Sequence, residues 1–250
     1  MTPVELRPLS ARSVVLSLML GAHPAELSAA ALVRAAELFD VPETTLRTAL
    51  SRMLAAGDLL RDRAGGYRLS ERLLARQRRQ DAALRVGVTD ADGGWDGSWE
   101  QVVVTSSGRS AQDRAGLRAT LFGLRLGELR EGVWLRPANL ARPLPDWPVD
   151  LVRTFALGPV PDPADLAREL WDLEGWAATG HALLAAMVAP ESARAALTLN
   201  AAAVRHLLVD PALPRELRPD DWPSAALRAA YDRYRAELPS RLSASAELAG

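Results

Sequence analysis

Apolar residues recur at helical spacing between residues 42 and 54, and the polar residues among them share the opposite side. On a helix that begins near Pro42, five apolar side chains fall within one arc, as in an amphipathic helix with one buried side. These residues are Leu46, Ala49, Leu50, Met53 and Leu54. Proline suits the first helical position, because the N–H that it lacks would have no partner inside the helix. The pattern therefore predicts a helix whose polar side faces outward.

The outward face of this predicted helix carries hydroxyl and guanidinium groups and no long apolar side chain. Its residues are Thr44, Thr45, Arg47, Thr48, Ser51 and Arg52. Hydroxyls donate to or accept from several base positions, and arginine forks onto guanine or onto a phosphate. For an isolated helix the alternative is a solvated face, and the neighbouring elements decide between the two.

Two further helices are predicted before this one. The apolar pattern of Ala11–Leu20 predicts the first, and that of Ala29–Phe39 predicts the second, with Ser28 as its N-cap. Asp40 then lies in a short turn before Pro42. Two helices, a tight turn and a third helix with a polar outer face indicate a helix-turn-helix, in which the third is the recognition helix.

After the recognition helix, the pattern changes to two short strands. The segment Leu59–Leu69 contains Gly65 and Gly66 where a hairpin turn is expected, so the hairpin adds a wing. Three arginines surround its tip, namely Arg61, Arg63 and Arg68. A plain hairpin has no need of them, whereas a wing lying against the sugar-phosphate backbone uses such charges. The polar face and the wing together predict DNA binding.

The composition is that of an ordinary globular protein, but its charge is unevenly distributed. The 250 residues are 48% apolar and 24% charged, with a net charge of -1, which leaves room for two or three small domains. Residues 47–85 contain ten Arg and four acidic residues, whereas residues 86–250 contain seventeen Arg and twenty-two acidic residues. Within the basic region, Glu71–Leu84 predicts a surface helix. This helix either lies along DNA or is a solvated connector.

Several chemistries are excluded or disfavoured by what the sequence lacks. It contains no Cys, so disulfides, thiolate metal sites and cysteine catalysis are excluded. Its three His stand far apart, and neither a GxSxG elbow nor a phosphate-binding glycine loop occurs. No catalytic residue, metal or cofactor is therefore expected. The uncharged run Ser13–Ala22 is too short to span a bilayer, which takes roughly 20 residues, so we expect a cytoplasmic protein rather than a signal peptide.

A segment rich in Asp and Gly, Asp90–Gly97, marks a boundary before a second region. Three segments there have strand composition, namely Trp99–Thr105, Gly132–Arg136 and Leu151–Leu157. Helical leucine spacing covers Asp113–Leu124, and a further helix begins with Asp162 as N-cap and Pro163 behind it. This order predicts a ferredoxin-like α+β domain of the split βαβ kind over residues 89–160.

The remaining chain, residues 161–250, is predicted to form a mainly helical domain. Helices are expected over Ala177–Val188 and Arg194–Val209. The segment Asp210–Pro223 contains four Pro, which exclude a continuous helix. With the winged helix-turn-helix and its basic helix over residues 1–88, the chain is predicted to be an α+β protein of three consecutive domains.

Six ordered blocks of this sequence resemble the PaaX family, repressors of phenylacetate degradation operons. They are ARSVVLSLMLG at 11–21, LRTALSRMLAAGDL at 46–59, YRLSERLLARQRRQ at 67–80, WDGSW at 95–99, GVWLRPANL at 132–140 and DPALPRELRPDDWP at 210–223. The resemblance implies a winged-helix domain, a middle ferredoxin-like domain and a helical C-terminal domain. It also implies a homodimer, double-stranded operator DNA as a partner, and release from DNA by phenylacetyl-coenzyme A or a related aryl-acyl thioester.

Candidate contacts with such an effector lie in the fifth block. An aromatic ring beside a guanidinium suits an aryl group and a coenzyme A phosphate respectively, which favours Trp134, Arg136 and Asn139. The alternative for Trp134, as for the other tryptophans, is a place in the core or at a domain interface.

Two other classes of function stay open. An architectural or adaptor protein would bind DNA without a ligand. A nuclease of ferredoxin-like fold would need an acidic residue near the end of its first strand to hold a metal, and VVVT at 102–105 has none. The favoured interpretation is a ligand-responsive transcriptional repressor that is not an enzyme.

Overall fold

The computed structural model describes residues 6–63, 65–85, 94–106, 108 and 110–247, and the chain divides into two compact units. The first unit comprises Met1–Ala83, His181–Arg205 and Ala226–Gly250, and the second comprises Leu84–Gly180 and His206–Ala225. Residues 161–250, predicted as one helical domain, therefore contribute to both units. The predicted limit at 88, with the first four residues of the boundary Asp90–Gly97, lies outside the described residues. The limit at 160 stays a prediction.

The elements that the sequence predicts lie close to their expected positions, and the structure adds strands at 26–27 and 127–130. The helices are α1 (Ala11–Gly21), α2 (Ala29–Leu38), α3 (Glu43–Ala55), α4 (Glu71–Arg85), α5 (Ala111–Gly123), α6 (Pro163–Leu170), α7 (Leu173–Val188), α8 (Ala193–Leu207) and α9 (Ser224–Glu247). The strands are β1 (Glu26–Leu27), β2 (Leu59–Arg61), β3 (Tyr67–Leu69), β4 (Trp99–Val104), β5 (Gly127–Arg130), β6 (Val133–Pro137) and β7 (Val152–Leu157).

The first unit contains the predicted winged helix-turn-helix. Strands β1, β3 and β2 form an antiparallel sheet in that order, so β2 and β3 make the hairpin of the wing and β1 covers its other edge. The hydroxyls of Ser10 and Ser28 cap α1 and α2 by accepting hydrogen bonds from backbone N–H groups of the first turn. The turn before α3 passes through Asp40, whose φ of 52° lies in the left-handed region. The chain turns at this residue, between the end of α2 and the start of the recognition helix α3.

The core of this unit includes helices from the C-terminal part of the chain. Phe39, Leu46 and Met53 of the winged helix are each at most 2% exposed. Leu197 of α8 is buried in the same apolar cluster, and Tyr234 of α9 packs against it. The C-terminal helices therefore complete the core behind the recognition helix.

The second unit is built on a four-stranded antiparallel sheet in the order β5-β6-β4-β7. Helix α5 joins β4 to β5, and β6 is inserted between these two strands, which is the split βαβ arrangement of ferredoxin-like folds. The full ferredoxin-like order has a second helix between its third and fourth strands. Here residues 138–151, all of them described, join β6 to β7 without a helix, and the next helix, α6, comes after β7. Strand β5 is not predicted from the sequence, because GELR has a single large apolar residue and becomes a strand by pairing with β6.

Strands β4 and β6 contribute apolar side chains to both faces of this sheet, because successive residues of a strand point to opposite faces. Val102 and Trp134 pack against α5 on one face. Trp99 and Leu135 pack with α6 and with the 206–225 segment on the other. Alternating side chains of β4 and β6 therefore form two small apolar cores, one on each face of the sheet. Trp134 belongs to the core beneath α5.

Candidate DNA-binding surface and ligand cavity

The recognition helix presents the predicted polar face to solvent. Its residues Thr44, Thr45, Arg47, Thr48, Ser51 and Arg52 are all exposed. Leu46, Leu50 and Met53 on its other side are at most 6% exposed. The buried side fixes the rotation of the helix about its axis, so that the polar side chains share one outward surface.

Two side chains of this face are already engaged within the helix. The guanidinium of Arg47 donates to Oε1 of Glu43, from Nε at 2.8 Å and from Nη2 at 2.5 Å. The hydroxyl of Thr48 donates to the carbonyl oxygen of Thr44 at 2.9 Å. Among the described residues, none forms a hydrogen bond or an ion pair with the guanidinium of Arg52. The guanidinium of Arg52 is therefore more available than that of Arg47 for a base edge or a phosphate.

A groove of about 490 Å³ lies beside the polar face, between α3 and the N-terminal end of α1. Its lining residues are Ser10, Ala11, Arg12, Thr44, Thr45, Thr48, Ala49 and Arg52. None of these residues is acidic. Hydroxyls, guanidinium groups and the positive end of a helix dipole all favour an anionic ligand such as a phosphate.

A buried carboxylate holds the elements around this surface together. Asp58 is 2% exposed, and it accepts hydrogen bonds from Arg12 at 2.8 Å and from Arg72 of α4. Its backbone N–H donates to the carbonyl oxygen of Met53 at 2.9 Å, and its own carbonyl oxygen accepts from Ser70 at 3.0 Å. One residue thus joins α1, the end of α3, the wing and α4.

The three wing arginines differ in how much of the guanidinium is available. Arg61 donates to the carbonyl oxygen of Gly65 at 2.8 Å and lies over the ring of Tyr67, 4.2 Å from its centroid. Arg68 is half-buried in β3, whereas Arg63 is exposed in the turn. Arg63 is consequently the best placed of the three to contact a DNA backbone.

The three predicted effector contacts lie in the second unit. Two of them, Arg136 and Asn139, are already hydrogen-bonded to other residues of the protein. Arg136 is 1% exposed, and it donates to Glu100 at 2.5 Å and to two backbone carbonyl oxygens at 2.7 and 2.9 Å. Asn139 donates to the carbonyl oxygen of Ala212 at 3.0 Å. A phosphate would have to replace these buried bonds, so the geometry favours structural roles for both residues. Their contact with an effector stays a prediction without geometric support.

Trp134, the third predicted residue, is 1% exposed in the core beneath α5, so the geometry favours its core alternative, and it borders a cavity of about 680 Å³. Its ring packs edge-to-face on Phe122 with the centroids 5.0 Å apart, and the guanidinium of Arg118 lies 5.3 Å from its centroid. Arg118 also pairs with Glu128. The charged lining residues are Arg114, Arg118, Glu128, Arg130 and Glu131. The volume is within the range of small-molecule sites, roughly 300–1,000 Å³.

Comparison with known proteins then identifies the family. Three family models match successive parts of the chain: PaaX-like protein over residues 10–73, PaaX protein central Cas2-like domain over 92–146, and PaaX-like protein C-terminal domain over 172–247. The chain belongs to the PaaX family. It is also similar to a solved structure, the uncharacterized protein Rv0674 from Mycobacterium tuberculosis, at 50% identity with a TM-score of 0.79. That similarity covers 94% of this chain and 98% of the other. No curated protein matches this chain.

Membership of the PaaX family confirms the resemblance of the six sequence blocks and makes this chain a PaaX-like regulator. Across its described residues, no helix combines the length and the apolar character needed to cross a membrane. Nor do those residues bring three His, Asp or Glu side chains together as a metal site would.

Two residues of these sites were not predicted from the sequence. They are Asp58, which joins the elements around the groove, and Arg118, which lines the cavity. Asp58 follows Gly57 in the turn after α3, and only its position directly before the buried Leu59 of β2 hints at burial. Arg118 lies on an exposed helix face, where its distance from the ring of Trp134 depends on how α5 packs on the sheet. Both depend on contacts between residues distant in sequence.

Proposed function

We propose that this PaaX-family regulator binds operator DNA through α3 and the wing, and represses transcription there. The observation that carries the proposal is the exposed face of α3, on which six hydroxyl and guanidinium side chains share one outward surface. Such groups bind base edges in the major groove. The wing arginines add affinity for the phosphate backbone that does not depend on sequence.

The proposed active form is a cytoplasmic homodimer. Two winged helices bind one operator when their recognition helices read half-sites about one duplex turn, roughly 34–36 Å, apart. The operator is then expected to be palindromic, because its symmetry mirrors that of the dimer.

The proposed effector is phenylacetyl-coenzyme A or a related aryl-acyl thioester, which releases the regulator from DNA. The cavity beside Trp134 supports this assignment, because its three arginines suit the phosphates of such a ligand, whereas Trp134 itself is 1% exposed and belongs to the core. Arg118 is our choice for a phosphate contact, since its side chain is 52% exposed beside the ring. In this proposal Arg136 does not contact the effector. It stabilises the cavity wall by donating to the carbonyl oxygen of Leu124 at the end of α5.

Operator binding tests this proposal, with DNA from upstream of the protein's own gene and titration of phenylacetyl-coenzyme A, free phenylacetate and coenzyme A. The thioester should weaken operator binding, whereas each half alone should act far less because it lacks some of the recognised groups. A tenfold preference for the DNA-free state corresponds to about 1.4 kcal/mol per site. Arg118→Ala should reduce the response. Arg153→Ala, which changes an exposed arginine of β7 outside the cavity, should not.

The other outcomes separate the alternatives. If none of the ligands changes the affinity for the operator, the effector assignment is wrong, and the alternative of an architectural DNA-binding protein is favoured. Cleavage of the duplex when a divalent metal is added would establish a nuclease. Binding without preference for any upstream sequence would refute the repressor.

A further inference from the structure

The first turn of α8 packs directly on the winged helix within the first unit. Leu197 is 4% exposed in the apolar cluster that also contains Leu46 of the recognition helix, and Ala193 packs against that cluster. The hydroxyl of Ser192 caps α8 by accepting a hydrogen bond from the N–H of Ala195 at 3.1 Å. The start of α8 is therefore held in a defined position relative to α3.

Arg194, in this first turn, bonds to two backbone carbonyl oxygens of the winged helix. Its Nη1 donates to the carbonyl oxygen of Asp40 at 3.2 Å, and its Nη2 donates to that of Leu9 at 3.0 Å. Leu9 directly precedes Ser10, the N-cap of α1, and Asp40 lies in the turn that leads into α3. The guanidinium thus joins the chain at the start of each wall of the groove described above.

Several features separate this contact from ordinary surface packing. A cation in the first turn of a helix is disfavoured, because the helix dipole places partial positive charge there. Among the described residues, the Nε of Arg194 is also buried without a hydrogen-bond partner, which costs free energy. The Asp40 carbonyl is aimed by a backbone in the left-handed region, with φ of 52°. These three features each cost free energy, so they are expected where the position of the guanidinium matters for function.

We infer that Arg194 is a positioning residue of the DNA-binding surface, and that it sets the width of the groove between α1 and α3. The inference rests on the proposed function, because the groove contributes to operator recognition only if α3 binds DNA. Arginine suits this position because its rigid planar fork holds two carbonyl oxygens in a fixed geometry, whereas lysine presents a compact ammonium on a flexible stem.

The test compares Arg194→Lys with a control on the same helix, Arg205→Lys, which changes an exposed arginine. The full chain is used, and affinity is measured for the operator and for a random duplex. Arg194→Lys should lose roughly fivefold in operator affinity, the equivalent of about one hydrogen bond. Affinity for the random duplex should stay unchanged, because it depends on exposed charge rather than on groove width. Arg205→Lys should change neither affinity.

A second measurement does not require DNA. The chain has no Cys, so cysteines introduced at Ser17 on α1 and Arg47 on α3 can carry two spin labels for a distance measurement. Arg194→Lys should shift or broaden the distribution of distances between the labels, and Arg205→Lys should leave that distribution as in the parent protein. Ser17 and Arg47 both lie outside the residues that line the groove.

The outcomes are distinct. Equal losses for the operator and the random duplex, accompanied by a lower Tm, would show that Arg194 acts only in folding and would overturn the inference. Unchanged affinities with an unchanged label distance would overturn it too. If the parent chain binds no operator, the proposed function fails, and the label distance alone decides whether Arg194 sets the groove.

Discussion

Arginine supplies all thirty basic residues of this chain, and the surroundings of each guanidinium decide what it can do. Arg52 faces solvent on the recognition helix. Arg136 is 1% exposed, with its donors used by a carboxylate and two carbonyl oxygens. A guanidinium whose donors are already bonded in the interior cannot also bind a ligand without losing those bonds. Residue type therefore predicts the chemistry that is possible, and burial selects among the possibilities.

At the residue scale, Arg52→Ala should weaken operator binding by about 1–3 kcal/mol and relax the sequence preference, because the side chain is available to fork onto a base. Titration of the operator and of single-base variants of it measures both effects. Operator affinity equal to that of the parent protein would remove Arg52 from the DNA contact.

Arg63→Ala in the wing should behave differently, because an exposed arginine in a turn contacts phosphates rather than bases. It should weaken specific and random duplexes alike, and reduce by about one the slope of log affinity against log salt concentration. Measurement over a series of salt concentrations checks this. A loss confined to the operator would contradict the assignment of Arg63 to the DNA backbone.

At the element scale, helix ends in this molecule repeat one hydrogen-bond pattern with different residues. After α3, the N–H groups of Gly57 and Asp58 donate back to carbonyl oxygens of the helix at 3.0 and 2.9 Å, which is a Schellman motif. The turn residue has φ of 68° at Gly57, 52° at Asp40 after α2 and 67° at Arg125 after α5. Only at Gly57 is this backbone conformation free of the penalty that a Cβ brings.

Gly57→Ala should lower the free energy of unfolding by about 1–2 kcal/mol. The added Cβ meets nothing within 4 Å, so the loss comes from the backbone conformation and not from a clash. Gly57→Asn should lose less, since asparagine tolerates the left-handed region. Urea denaturation measures both variants. An equal loss for Asn and Ala would argue against the backbone explanation.

At the scale of the whole molecule, the C-terminal part of the chain is shared between the two units. In the second unit, Trp176 stacks on His206 and on Trp222, with centroid separations of 4.2 Å in both pairs. His206 also bonds through Nε2 to the carbonyl oxygen of Trp176 at 2.9 Å. Burial in this stack lowers the pKa of His206 below its ordinary value of 6.5, against a smaller opposing effect of that hydrogen bond.

This lowered pKa predicts how stability depends on pH. As pH falls through 6.5, His206 in the unfolded chain takes up a proton before His206 in the folded chain does. The unfolded state then binds more protons, so the free energy of unfolding decreases as pH falls towards the folded-state pKa. Denaturation of the parent protein and of His206→Gln over this pH range checks the effect. The variant should lose that part of the pH dependence, and identical profiles would exclude His206 as its source.

The order of elements follows from local sequence, because helical spacing, N-caps and glycine turns act over a few residues. The exposed face of α3, the two-strand wing and the interruption at 210–223 are all readable in this way. Strand β5 is not, because its conformation depends on pairing with β6. The candidate surface was therefore predictable as a set of side chains, and the structure places all six residues of its helical part on one exposed face.

Short-range periodicity is enough to predict the winged helix, the α+β class and the polar face of the recognition helix, because each depends on neighbouring residues. Tertiary structure alone decided the burial of Asp58 and Arg136 and the contact of Arg194 with the helix-turn-helix. It also decided that helices α8 and α9 contribute to the core of the first unit, which contains the winged helix. The physical reason is that these contacts join residues far apart in the chain, and local periodicity carries no information about which distant surfaces meet.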